Sequence, residues 1–198
     1  MPSDPLVLGF DTSAAHCAAA LLSGDRILAA RVEEMGRGQA ERLMPLLEEL
    51  LIEAGVSWRD LNAIGVGVGP GNFTGIRISV SAARGLALGL GIPAVGVSGF
   101  EARQTPGTLV AIPAPRDQVY VHPENTEPVL LSRDDAQNTA REAGLSLQSD
   151  FPTDNMVQAI ARIAAQRFTQ TPAAPAPLYV KPADAAPSRD VPPALIER

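Results

Sequence analysis

The segment from residue 63 to residue 90 constrains the fold of this chain more than any other. Its first part alternates glycine with apolar residues, as a buried strand does, and its last part has a helical apolar pattern without proline. Between them lies Val68-Gly69-Pro70-Gly71-Asn72-Phe73-Thr74-Gly75-Ile76-Arg77. A glycine-rich turn here allows close backbone approach and leaves the first N–H groups of the helix free for an anion. The alternative is a tight strand-to-helix turn that binds nothing.

The spacing of the glycines excludes two familiar nucleotide loops. The dinucleotide pattern G-x-G-x-x-G is not met, because Thr74 stands where the third glycine would be. The phosphate loop that ends in a lysine is also excluded, because Lys181 is the only lysine of the chain. Any phosphate at this turn would have to meet backbone N–H groups and Arg77.

Composition bounds the class of protein. The chain has 198 residues, of which 45% are hydrophobic and 19% are charged, which is typical of a soluble globular protein with one domain or two small lobes. The net charge of −6 disfavours binding to nucleic acid without a partner, because phosphate contacts need clustered cations.

Cysteine use and hydropathy bear on location. Cys17 is the only cysteine, so no internal disulfide can form, and this favours a reducing compartment. We see no basic stretch followed by an apolar one at the N-terminus, and no run of about 18 apolar residues. We therefore expect a cytoplasmic protein with no membrane contact.

The order of elements predicts the fold. Three strands come first, followed by a helix, a strand, a helix and a strand; the ranges are 5–10, 16–22, 26–33, 39–54, 63–68, 74–90 and 94–97. This order matches an α/β fold of the actin-like ATPase (ribonuclease-H-like) type. We expect one full lobe over residues 1–104 and a shortened second lobe with a C-terminal helix over residues 105–170. A Pro/Ala-rich extended tail would follow over residues 171–198.

The second half gives weaker patterns. Strands are predicted over 108–112, 118–122 and 127–131, a helix capped by Ser132 runs to residue 143, and a helix capped by Thr153 runs to residue 168.

Asp11 ends the first strand, where kinases of this fold carry an aspartate that orients magnesium. With Gly71 and Thr74 it forms a candidate nucleotide-adjacent set. The alternative, that Asp11 caps its own turn, is favoured because a complete ATP cleft needs two full lobes. We therefore expect no intrinsic cofactor.

No catalytic constellation emerges from the sequence. His16 and His122 lack a metal-ligand neighbour at helical spacing, there is no cysteine pair, and no serine lies in a G-x-S-x-G elbow. We expect no catalytic residue and no metal site.

The helix over residues 74–90 has an unusual composition. Arg77 and Arg84 are its only charged residues, whereas a surface helix normally has a broad polar face. We expect one face to pack on the sheet and the other on a partner chain; the alternative is burial wholly within this chain. Together with the helix over 39–54 it gives a predicted partner surface of Leu43, Leu47, Leu50, Phe73, Arg77, Ser79, Val80, Ala83 and Ala87.

These segments carry a resemblance to a known family. The chain resembles the bacterial TsaB (YeaZ) family of tRNA threonylcarbamoyladenosine biosynthesis proteins. The resemblance is strong over residues 5–101 and thin afterwards, and its carriers are the runs 10–13, 41–45, 69–78, 85–89, 95–98 and 177–182. The most specific of these is the G-P-G-x-F-T-G-x-R run that begins at Gly69.

The resemblance implies a function that the residues alone do not give. Proteins of this family are non-catalytic subunits that pair with the catalytic subunit TsaD and with the ATPase TsaE. The complex uses ATP to place threonylcarbamoyl on adenosine 37 of tRNAs that read codons beginning with A. Two further expectations come from the residues: the nearly uncharged helix over residues 74–90 predicts a homodimer when the protein is alone, and the net charge of −6 predicts tRNA contact only through the complex.

Two departures from the family pattern stand out. Gln39 replaces a usual histidine, and the family's I-D-A-R-x-x-E-V-Y run is altered over residues 112–120. Two alternatives to the family function stay open. One is a small actin-like enzyme, either a phosphotransferase that uses Asp11 or a peptidase, and the other is a self-associating scaffold unrelated to tRNA.

Overall fold

The computed structural model describes residues 4–170 and 172–180. The first half of the chain follows the predicted order of elements. These are β1 (Leu6–Asp11), β2 (His16–Ser23), β3 (Arg26–Glu34), α1 (Gln39–Glu53), β4 (Ala63–Gly67), α2 (Phe73–Leu90) and β5 (Ala94–Val97), with a short 3-10 turn at Trp58–Asp60. Residues 181–198 of the predicted tail, with Lys181, lie outside the described residues.

The second half contains smaller elements. These are α3 (Gly99–Arg103), β6 (Thr108–Ala114), β7 (Gln118–Val121), β8 (Val129–Ser132), α4 (Arg133–Glu142), β9 (Ser146–Gln148) and α5 (Thr153–Arg167), with a 3-10 turn at Phe168–Gln170. The sequence pattern does not predict α3 or β9, which are five and three residues long. Ser132 caps α4 as predicted, by accepting a hydrogen bond from the N–H of Asp135. Thr153 is the first residue of α5 rather than its cap, which is Pro152.

Five strands form the first sheet, in the order β3-β2-β1-β4-β5. The first three strands are antiparallel, and β4 and β5 run parallel to β1. One buried cluster joins one face of this sheet to α1 and α2. The apolar row of α1 points inward, as its spacing of three and four residues predicts: Leu43, Leu46, Leu47, Leu50 and Leu51.

The other face of the first sheet is covered by α5, near the end of the chain. Met156, Ile160, Ala161 and Ala164 are buried in one cluster with residues of the sheet such as Val7. The C-terminal helix therefore packs on the first lobe, whereas its position in the sequence predicted that it belongs to the second. Sequence order cannot reveal this, because periodicity shows that a face is buried and not what covers it.

The second sheet is small, with the order β8-β7-β6-β9. Ala136 and Ala140 of α4 are buried against one of its faces. The altered run 112–120 forms the β6–β7 hairpin, in which Arg116 and Asp117 have φ of 61° and 54°. This unit is too small for a complete second actin-like lobe.

Candidate functional site

The glycine-rich turn between β4 and α2 is packed against the loop that follows β1. The N–H of Asn72 donates to the carbonyl of Ser13 at 2.6 Å, and the hydroxyl of Thr12 donates to the carbonyl of Gly75 at 2.7 Å. The side chain of Asn72 caps α2 by accepting from the N–H of Gly75 at 2.8 Å. The chain's own groups thus engage several polar atoms of the turn.

Three glycines in and around the glycine-rich turn lack the Cβ that would clash with the end of β1 and the loop that follows it. A Cβ at Gly67 would overlap the carboxylate of Asp11, a Cβ at Gly71 the carbonyl of Ser13, and a Cβ at Gly75 the carbonyl of Thr12. The close approach predicted from the glycines therefore occurs between two segments of this chain. The structure favours the alternative of a packed strand-to-helix turn over a loop around a phosphate.

Asp11 is buried, with 2% of its surface exposed. One carboxylate oxygen accepts from the N–H and the hydroxyl of Ser13, both at 2.8 Å, and lies 2.7 Å from Nε2 of His16. Burial acts to raise the pKa of Asp11, but the hydrogen bond and charge of His16 and the hydrogen bonds of Ser13 outweigh it, so the pKa is lowered. The lowered pKa favours the ionised form of Asp11, and its Oδ1 atom holds the turn that follows β1.

The candidate nucleotide-adjacent set is close together, but its members differ in exposure. Gly71 is half-buried and Thr74 is exposed at the start of α2, while Asp11 is buried beneath the turn. The partnership of Asp11 with His16 is not evident from the sequence, because the β1–β2 pairing creates it. Gln39, the residue at the family's histidine position, donates from Nε2 to the carbonyl of Met35 at 3.1 Å.

An aromatic and cationic cluster lies at the exposed start of α2. The guanidinium of Arg77 lies 3.9 Å from the ring centroid of Phe73, whose ring is 5.0 Å from that of Tyr179. Phe73 and Tyr179 are 37% and 39% exposed. Tyrosine and arginine are enriched among residues that dominate binding energy at protein interfaces, and aromatic residues in general are enriched there. Tyr179 could not be placed here from sequence, because it is 102 positions from Arg77.

Most of the predicted partner surface is core. Two groups of three residues are buried against the first sheet, one on each helix: Leu43, Leu47 and Leu50 on α1, and Ser79, Val80 and Ala83 on α2. The prediction was wrong for these six residues, because the apolar row of α1 and the small and apolar row of α2 both pack on the first sheet of the same chain. Ser79 even donates from its hydroxyl to the carbonyl of Gly67 at 3.3 Å. Of the predicted set, only Phe73, Arg77 and the half-buried Ala87 reach the surface.

The outer face of the two helices carries a different apolar set. Met44 and Ile52 of α1 are 40% and 71% exposed, and Leu88 of α2 is 86% exposed. A groove of about 490 Å³ lies beside Leu88, lined by Ala87 and by Pro172 and Pro175 of the C-terminal segment. In the sequence, this exposed set is visible only as three apolar residues that fall outside the buried rows of the two helices.

The charges of this outer face are separated between the helices. Glu41 and Glu48 are exposed on α1, and Arg77 and Arg84, also seven positions apart, are exposed on α2. In the described part of the chain, none of these four forms an ion pair. Other charged residues of α1 are paired internally, as Arg42 is with Glu33 and Glu49.

Residues 4–170 and 172–180 contain neither a candidate metal cluster nor a membrane-spanning helix. No three His, Cys, Asp or Glu side chains in these ranges are grouped so that they could hold a metal ion. No helix in the same ranges is long and apolar enough to cross a membrane.

Comparison with known proteins identifies the family. A family model described as "TsaD: tRNA N6-adenosine threonylcarbamoyltransferase" matches residues 32–173. The chain is 40% identical over 92 residues to the tRNA threonylcarbamoyladenosine biosynthesis protein TsaB of Escherichia coli, covering 46% of this chain and 39% of that protein. It is 32% identical over 124 residues to the protein of the same name from Haemophilus influenzae, covering 58% of this chain and 51% of that protein. The chain belongs to the family of this model, and its relatives place it with the TsaB/YeaZ proteins.

The TsaB/YeaZ relationship extends to the fold. The solved structure of YeaZ from Pseudomonas aeruginosa superposes with a TM-score of 0.66 at 26% identity, covering 88% of this chain and 99% of that chain. The predicted actin-like (ribonuclease-H-like) fold is thus confirmed. The chain spans about half the length of the curated TsaB relatives that it matches.

Proposed function

We propose that this chain is a non-catalytic subunit of the complex that adds threonylcarbamoyl to adenosine 37 of tRNAs reading codons that begin with A. The names of its TsaB relatives support a role in threonylcarbamoyladenosine biosynthesis. In this proposal the chain acts by pairing with a TsaD-like catalytic subunit. A TsaE-like ATPase belongs to the same complex, which uses the ATP and contacts the tRNA.

The observation that carries the pairing is the exposed outer face of α1 and α2. Met44, Ile52 and Leu88 place apolar surface in water on adjacent helices, and the Phe73–Arg77–Tyr179 cluster lies at one end. Exposed apolar surface of this kind is typical of an interaction site. This face replaces the buried residues of the earlier predicted surface.

The assignment of a non-catalytic role is supported by the state of Asp11. Its carboxylate is buried, and its Oδ1 atom is hydrogen bonded to Ser13 and His16, so only the other oxygen, Oδ2, is left without a partner among the described residues. The alternative of a small phosphotransferase that uses Asp11 has no such support.

The charge pattern supports a homodimer when the chain is alone. In a two-fold arrangement, α1 of one copy can lie beside α2 of the other. Glu41 and Glu48 would then face Arg84 and Arg77, and the equal spacing of seven residues lets both pairs form together. A TsaD-like partner would compete for this face.

The proposal is tested by reconstitution. The chain is mixed with TsaD and TsaE of the same organism, ATP, a donor of the threonylcarbamoyl group, and an unmodified tRNA. We expect modification that depends on this chain and co-elution of the chain with TsaD. Modification at the same rate without the chain, or co-elution with tRNA alone, would contradict the proposal.

A further inference from the structure

Residues 172–180 form a strap across the first lobe that contains neither helix nor strand. Three residues near its end anchor it to the rest of the chain. Pro175 lies against Gly96 of β5, Leu178 packs on residues of both sheets, and the ring of Tyr179 stacks on that of Phe73. The strap therefore joins the Phe73–Arg77–Tyr179 cluster to the body of the molecule.

The strap lies beside the open edge of β5, the last strand of the first sheet, without pairing with it. The carbonyls of Pro93 and Val97 accept hydrogen bonds from the β4 side. Because the backbone groups of a strand alternate in direction, the N–H and C=O groups of Ala94 and Gly96 point to the open edge. Neither of these two residues is joined to the strap by a backbone hydrogen bond. The strap thus covers the edge without acting as a sixth strand.

Very few hydrogen bonds hold the strap. Among the described residues, the bond from the N–H of Leu178 to the carbonyl of Val68, at 2.8 Å, is the only backbone hydrogen bond between the strap and the rest of the chain. Three of the nine strap residues are prolines, which have no N–H to donate. The hydroxyl of Tyr179 accepts one further bond from Nε of Arg77.

Two surface grooves flank the strap. The groove of about 490 Å³ beside Leu88 runs between the strap and α2, and a second groove of about 430 Å³ reaches Glu101 of α3 on its other side. Pro172, Ala174 and Pro175 line both grooves. The first residues of the strap therefore have open space on two sides, and close packing is confined to its anchors.

The sheet below the strap is held much more firmly. Val68, directly after β4, has one bond of each kind, because its carbonyl accepts from Leu178 and its N–H donates to the carbonyl of Val97 at 3.0 Å. Val97 is fully buried in the first lobe. Segments with few hydrogen bonds and few buried contacts open at a lower free energy than a buried sheet does.

We propose that the strap opens as a local unit while the first sheet stays folded, and that a TsaD-like subunit at the Phe73–Arg77–Tyr179 cluster binds only the closed form. Tyr179 belongs to this cluster only while the strap is seated. A partner that contacts it there shifts the equilibrium to the closed form. This coupling rests on the proposed function, whereas the local opening does not.

Amide hydrogen exchange of the free, full chain, resolved by residue with NMR, tests the local opening. The N–H of Leu178 reports on the strap, and the N–H of Val68 is the matched control within the sheet. After correction for intrinsic rates, we expect the Leu178 amide to exchange at least about thirtyfold faster than the Val68 amide. A smaller difference would mean that the strap opens only with the sheet, and would overturn the proposal.

Low urea concentrations give a second readout that needs no variant. Exchange through global unfolding accelerates with urea, because unfolding exposes a large surface, whereas exchange through a small local opening does not. Urea below the unfolding transition should therefore accelerate exchange at Val68 and leave exchange at Leu178 nearly constant. The same urea dependence at both amides would contradict local opening.

A pair of variants tests what holds the strap closed. Tyr179→Ala removes an anchor and should accelerate exchange at Leu178 about five- to thirtyfold. Val129→Ala is the matched control, because Val129 has nearly the same exposure, 38% against 39%, and lies on β8. It should leave exchange at Leu178 unchanged. Equal exchange rates at Leu178 in the two variants would show that Tyr179 does not hold the strap.

TsaD of the same organism, added at about ten times its Kd, tests the coupling. A subunit that binds only the closed form should slow exchange at Leu178 about tenfold. The N–H of Asp135, which is bonded to Ser132 at the start of α4, is the control and should keep its rate. Bound TsaD with an unchanged Leu178 rate would overturn the coupling. Failure of TsaD to bind would contradict the proposed function and the coupling with it, whereas the opening of the strap is decided by the free protein.

Discussion

Arg77 donates from its Nε to the hydroxyl of Tyr179 at 3.0 Å, so the first turn of α2 is tied to the C-terminal segment. Next to it, the N–H of Leu178 donates to the carbonyl of Val68 at 2.8 Å. The segment therefore contacts both the strand side and the helix side of the glycine turn. Removing it should loosen the turn and the proposed partner surface together.

The first prediction concerns Tyr179. Tyr179→Phe removes the hydrogen bond to Arg77 and keeps the ring stack on Phe73, so we expect a loss of about 0.5 kcal/mol in unfolding free energy. Tyr179→Ala removes both and should cost about 1–2 kcal/mol, a modest value because the ring is 39% exposed. Urea denaturation measures both. Equal stability of the alanine variant and the wild type would show that the segment does not hold the turn.

A second prediction sets two glycines of one helix against each other. Gly75→Ala places a Cβ into the carbonyl of Thr12, and should destabilise the protein by about 2–4 kcal/mol. Gly89→Ala is the matched control, since nothing lies within 4 Å of its Cβ and alanine is the better helix former. It should stabilise the protein by about 0.5–1 kcal/mol. Thermal melts of the two variants should therefore move in opposite directions, and a harmless Gly75→Ala would refute the packed turn.

The third prediction is a pH dependence centred on Asp11. Its folded pKa is lowered, so its ionisation contributes stability that is fully present above the unfolded pKa of about 3.9 and is lost as pH falls through the folded pKa. Asp11→Asn should cost about 3 kcal/mol at pH 7, because it breaks a buried charged network. The difference between the two proteins should shrink steadily below about pH 4. A difference that is constant from pH 7 to pH 3 would mean that Asp11 is not ionised in the fold.

The fourth prediction concerns self-association. The isolated chain should sediment as a dimer at low salt and dissociate more readily at about 0.5 M salt, where charges on the outer face are screened. Arg84→Glu should weaken the dimer, and Glu41→Arg in the same chain should restore it if the two residues meet across the two-fold axis. A dimer that is insensitive to both changes would place the contact elsewhere. Substitution of Val80 or Ala83 by a charged residue should instead unfold the protein, since both are buried in the core.

The order of elements and the fold could be predicted because they rest on local periodicity and on a specific motif. The partner surface could not, because the apolar row of α1 that includes Leu43 and Leu47 is the row that its own sheet buries. The pattern therefore predicts that this row is buried, but it does not tell whether the chain's own sheet or a partner chain covers it. The pair of Asp11 and His16 depends on the antiparallel register of β1 and β2. The stacking of Tyr179 on Phe73 depends on the path of the C-terminal segment.

The central claim is that the outer face of α1 and α2 binds a TsaD-like subunit. Leu88→Glu tests it directly, because Leu88 is 86% exposed and its replacement should not disturb the fold. Val129→Glu is the matched control, an apolar residue 38% exposed on β8, away from this face. The affinity of each variant for TsaD of the same organism is measured by calorimetry, with the melting temperature as a check on folding. We expect Leu88→Glu to weaken binding at least about thirtyfold, or 2 kcal/mol, with an unchanged melt, and Val129→Glu to bind as the wild type does. Wild-type affinity in Leu88→Glu would contradict the account.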